Sequence, residues 1–172
     1  LVSTMAVPLV ALPAANAHTP AWTIPTYAYL SVQPNPVGVG QAVYVGFWVD
    51  KVPPTATGPY GDRWQNLTVT VTDPDGNSER LGPFTSDAVG GAFTRFVPDT
   101  IGPYTFVFNF PGQVATLKGA TGIDPDITLL IFGRLDFIND TFTGSSATTT
   151  LTVQQEPVTE PPIYPLPTEY WT

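Results

Sequence analysis

Residues 91–110, reading GAFTRFVPDTIGPYTFVFNF, carry a strand pattern, a Pro-Asp turn, a Gly-x-Tyr corner and a second strand pattern. Tyr104, Phe106, Phe108 and Phe110 share one parity, so an extended chain lines them along one face. Asp99, Gly102 and Tyr104 have the spacing of a tyrosine corner, in which a Tyr near a strand start bonds back to upstream backbone. The combination predicts an immunoglobulin-like β-sandwich.

Working outward, the rest of the chain agrees with an all-β class. Twenty Pro and fifteen Gly among 172 residues leave no room for a sustained helical period. Residues 27–33 read as a first strand, closed by the PNPVGVGQ turn at 34–41. Val43, Val45, Phe47 and Val49 alternate and put Trp48 on the opposite face. Leu67, Val69 and Val71 alternate with threonines in a third strand. The turn at 73–76 (Asp-Pro-Asp-Gly) leads into a fourth strand over 78–84, and 148–154 closes the series. Turn signals recur at the spacing of a sandwich. The interval 114–144 is too long for a hairpin loop and holds an apolar run at 127–132, which predicts an inserted hairpin or extra edge strands. The expected organisation is therefore 1–17 as an apolar leader, 18–26 as a linker, 27–155 as the sandwich with its insertion at 114–144, and 156–172 as a Pro-rich, stiff linker.

Charge narrows the partners. Only 12% of residues are charged, about half the usual share. The formal net charge is −8, with six scattered basic residues. A nucleic-acid partner is excluded on this count, since phosphate binding needs clustered Lys and Arg. There is no Cys, hence no disulfide framework and no Cys-based zinc site.

The leader has two readings. LVSTMAVPLVALPAANA ends in Ala15, Asn16 and Ala17, like the apolar region and cleavage site of a secretory signal. Leu1, Met5, Val7 and Leu9 also share one parity, so the segment suits a self-association strand donated to a neighbouring sandwich, with Pro8 as the weak point. Both readings predict a protein at the cell surface or outside it. The leader is too short and proline-broken to span a bilayer, and no transmembrane segment is expected.

The stretches YLSVQPNPVGVGQAVYVGFWV, NLTVTVTDPDGNSERLGPF, FVPDTIGPYTFVFNFPGQ and PLPTEYWT resemble, in that order, the N-terminal Ig-like module of secreted, largely archaeal proteins that continue into a PQQ-binding-like β-propeller. The resemblance covers about residues 27–113 and 146–172. It implies a secreted or surface module next to a larger domain, and residues 114–145 depart from the pattern. No propeller repeat lies in this chain, so no propeller chemistry transfers to any residue here.

Catalysis finds little support. His18 is the sole histidine and lies in the linker, and without a base the many hydroxyls are not activated nucleophiles. No catalytic residue and no cofactor is assigned, and the protein is not read as an enzyme. Asp73, Asp75 and Asn77 form a weak calcium candidate, because Asp-Pro-Asp-Gly is also an ordinary hairpin turn and the EF-hand register fails. Asn66-Leu-Thr68 and Asn139-Asp-Thr141 match glycosylation acceptors. Trp22, Trp48, Trp64 and Tyr60 form a candidate sugar-stacking platform, although core and sheet packing is the more common fate of such residues. Three functions stay open: a self-associating subunit of a filament or surface layer, an accessory module of a larger propeller protein, and a carbohydrate-binding module.

Overall fold

The computed structural model describes residues 18–56, 61–116 and 135–159, and they form an immunoglobulin-like β-sandwich. Eleven strands are present among them: β1 (Thr23–Ile24), β2 (Ala28–Gln33), β3 (Val37–Gly38), β4 (Val43–Val49), β5 (Leu67–Thr72), β6 (Ser78–Phe84), β7 (Gly91–Phe96), β8 (Gly102–Phe110), β9 (Gln113–Val114), β10 (Thr141–Phe142) and β11 (Ser145–Gln154).

A three-stranded sheet, β2-β4-β7, faces a five-stranded sheet, β3-β11-β8-β5-β6. Apart from the parallel β3–β11 pair, neighbours in both sheets are antiparallel. The Ig-like order follows, with the first strand divided between the sheets as β2 and β3. The expected 34–41 turn therefore contains a strand of its own: Val37 and Gly38 pair with Val153 and Gln154.

Parity explains the core. Val43, Val45, Phe47 and Val49 from β4 are buried against Leu67, Val69 and Val71 from β5, with Phe106, Phe108, Leu151 and Val153 behind them. A one-residue slip in any of these strands would turn its whole apolar set outward, so register is strongly specified. Aromatic contacts tie the two sheets, with Phe47 and Phe108 centroids 5.0 Å apart and Phe96 packed edge-on to Phe106 at 5.3 Å.

A third, small sheet, β1-β10-β9, crosses one end. β9 and β10 are antiparallel and form the base of the insertion, while β1 adds in parallel. Residues 18–26, expected as a linker, are thus extended but docked.

Candidate functional site

At the corner, Gly102 opens β8 at φ 133°. An added Cβ there would lie 2.8 Å from the Pro74 ring, so glycine is required by both backbone and space. Two residues on, Tyr104 is buried, its hydroxyl donates to Asp99 Oδ1 at 3.0 Å, and it accepts the Thr100 N–H at 3.0 Å. Asp99, Gly102 and Tyr104 act together as a structural brace.

The calcium candidate is occupied by its own loop. Asp73 accepts hydrogen bonds from the backbone N–H groups of Asp75 and Asn77 and from Asn77 Nδ2, at 2.8–2.9 Å. The Asn77 side chain first, and then these backbone donors, hold the Asp73 carboxyl below its ordinary range. Asp75 and Asn77 are exposed turn residues. Among the described residues, no group of three or more His, Cys, Asp or Glu side chains is placed to hold a metal.

Asn66 and Asn139 are both exposed and both adopt left-handed backbone, at φ 59° and 71°. Asn is among the few non-glycine residues that tolerate that region, so local geometry alone accounts for its presence at each position.

The tryptophans separate. Trp64 is fully buried, wedged between Phe110 and Phe142, and its Nε1–H donates to the Lys51 carbonyl at 2.7 Å. It is a core residue and unavailable to a platform. Trp22 is 53% exposed and stacks on His18 with centroids 3.4 Å apart. Tyr60 and the leader residues Leu1, Met5, Val7 and Leu9 lie outside the described residues.

His18 and Trp22 belong to a clasp. The buried Asp140 carboxylate meets His18 Nδ1 at 2.6 Å and accepts the Trp22 N–H at 2.7 Å. Further along, the Thr26 hydroxyl donates to the Thr143 carbonyl at 2.7 Å, and Tyr27 N–H donates to Asp50 Oδ1 at 2.7 Å. A second clasp holds the residues that follow β11. Gln41 Oε1 accepts the Val158 N–H at 2.7 Å while Gln41 Nε2 donates to the Val158 carbonyl at 3.1 Å. Gly38 lies beneath, where a Cβ would sit 2.6 Å from Pro157 Cα. Residues 156–158, expected as the start of a linker, are fixed to the sandwich.

The outer face of β2-β4-β7 carries an unusual set of side chains. Cross-strand rows read Tyr29–Trp48–Gly91, Ser31–Gly46–Phe93 and Gln33–Tyr44–Arg95. Phe93 is 76% and Tyr44 63% exposed, and Tyr29 stacks on Trp48 at 5.4 Å and 10°. Gly46 has no atom within 4 Å of where a Cβ would be, so the aromatics surround an open depression. Trp48 was legible as outward-facing; its neighbours come from two other strands and required the register.

No helix among the described residues is long and apolar enough to cross a membrane. No protein-family model matches this chain, and no curated protein does. The PKD domain of an M14-like peptidase from a Thermoplasmatales archaeon is similar to it at 14% identity, over 74% of this chain and 95% of that one, with a TM-score of 0.34.

Proposed function

We propose that this protein is an extracellular structural subunit without catalytic activity. It self-associates into a filament or surface layer by accepting a strand from a neighbouring copy. The observation that carries this reading is the state of the sheet edges. Among the described residues β7 pairs with β4 alone and contains no proline; alternate residues turn their backbone groups outward, and with those of Gly91 taken by Asp87, Phe93 and Arg95 supply the ladder positions on offer. An edge of this kind is a template for another chain. β6, the other long outer edge, is blunted: it has a register irregularity opposite Leu67 and Val69, Pro83 has no N–H to donate, and Glu79 opposes the core residue Val71. β2 packs across the sandwich against β11 and is partly covered.

The donor in this reading is residues 1–12, whose apolar parity of Leu1, Met5, Val7 and Leu9 matches a half-buried strand. A head-to-tail contact of this type propagates without closing. Asn66 and Asn139, both on the surface, are the glycan acceptors in that setting. The chain lacks cysteine, so disulfide trapping is clean. Val7→Cys combined with Arg95→Cys on β7 should cross-link between copies, whereas Val7→Cys with Glu79→Cys on β6 should not. Equal cross-linking at both edges, or at neither, rejects β7 as the acceptor.

A second reading, an accessory module that presents a larger secreted β-propeller, is favoured by the Gln41–Val158 clasp, which fixes where the chain leaves the sandwich. Expressing the module with its downstream sequence and measuring interdomain order by small-angle scattering tests it.

A further inference from the structure

We infer that the aromatic depression on the outer face of β2-β4-β7 is a docking groove for the protein's own proline-rich segment, residues 160–172. This is independent of the edge-strand reading, because a sheet's face and its edge are separate surfaces.

Five observations converge. The face is rich in exposed aromatic rings, with Tyr44, Trp48 and Phe93 around the open space above Gly46 and Ser31, Gln33 and Arg95 as its polar members. Aromatic-lined grooves of this kind suit polyproline II segments, whose extended conformation is set before binding and costs little entropy to hold. The segment that follows Thr159 is of that composition: EPPIYPLPTEYWT, with Pro162 and Pro165 in a P-x-x-P spacing.

Its point of departure is fixed beside the groove. The Gln41 clasp holds Val158, and Val158 and Thr159 line one groove with Pro34 and Tyr44. Tyr44 is thus shared by the exit of the chain and by the aromatic face. Reach is sufficient: Tyr44 and Trp48 are four residues apart on β4, about 13 Å, while residues 161–167 rise about 20 Å as polyproline II. Charge also matches. Arg95, next to Tyr44 in the third row, has no ion pair among the described residues, and the segment brings Glu160 and Glu169. Tethering raises the effective concentration of such a segment to the millimolar range, so a weak contact is enough to keep the groove occupied.

The absence of cysteine permits two nitroxides, placed through Thr168→Cys and Ser31→Cys in the full-length chain, with distances read by double electron–electron resonance. Spin-labelled protein is diluted in unlabelled protein so that only distances within one copy are read. The expected result is one narrow population, within about 20 Å given the polyproline II rise. It should broaden and lengthen in Trp48→Ala and in the Pro162→Gly, Pro165→Gly double variant. Trp48 is a surface residue, so an unchanged thermal midpoint separates lost docking from lost folding. A broad distribution insensitive to Trp48→Ala overturns the inference. So does a short distance that vanishes on dilution, which would place the segment on a second copy.

Discussion

Tyr104 and Asp99 are joined by a 3.0 Å hydroxyl-to-carboxylate hydrogen bond, and the same hydroxyl takes the N–H of Thr100. The corner therefore locks the turn before β8 to the strand's own first residues. Tyr104→Phe keeps the ring and its packing on Phe96 and removes only the hydroxyl. It should cost about 1 kcal/mol. Urea unfolding should show a lower midpoint with an unchanged slope, and an unshifted midpoint would mean that the brace adds nothing.

Trp64 fills the end of the core beneath the insertion, between Phe110 and Phe142. Trp64→Ala should destabilise the sandwich by about 3–5 kcal/mol, through the cavity and the orphaned Lys51 carbonyl. Trp22→Ala, on a half-exposed ring, should leave the global unfolding midpoint nearly in place. Calorimetry of the two variants side by side checks the contrast, and equal losses would contradict it.

The alternating strands and the corner were legible because both are local signals. Val43 to Val49 and Tyr104 to Phe110 declare their faces within a few residues, and the Asp99–Gly102–Tyr104 spacing is a short-range pattern. Core packing was the favoured fate of Trp64, but its place was not legible, since DRWQN has no period and its partners arrive from β8 and β10. The clasps were hidden for the same reason: Gln41 meets Val158, and His18 and Trp22 meet Asp140, across more than a hundred residues. Short strands such as β3 and β10 owe their existence to neighbours, because two residues are too few to declare a strand pattern. The aromatic face lies between these cases, because parity places Trp48 outward but only register brings Phe93 and Tyr29 beside it.

Asp140 anchors the docked N-terminal segment with a carboxylate that is fully buried. Asp140→Ala leaves the Trp22 N–H without that acceptor and should cost the local structure about 1–3 kcal/mol. Hydrogen exchange should rise across residues 18–26 while β4 and β8 stay protected. Unchanged exchange in 18–26 would show that backbone pairing to β10 suffices.

The β5–β6 turn should be acid-sensitive. The Asp73 carboxyl is held below its ordinary value, chiefly by Asn77. Its stabilising effect is complete above the unfolded-state value and is lost as pH falls through the folded one. An NMR titration should find Asp73 protonating below the ordinary aspartate value, and at higher pH in Asn77→Ala than in the unaltered chain. An Asp73 titration unmoved by Asn77→Ala would refute this.

Self-association through residues 1–12 is tested most directly by comparing the intact chain with one lacking those residues, using light scattering and electron microscopy at matched concentrations. The account predicts extended, growing assemblies for the intact chain and a folded monomer for the truncated one. Assembly that proceeds unchanged without residues 1–12, or an intact chain that stays monomeric at every concentration, would contradict it.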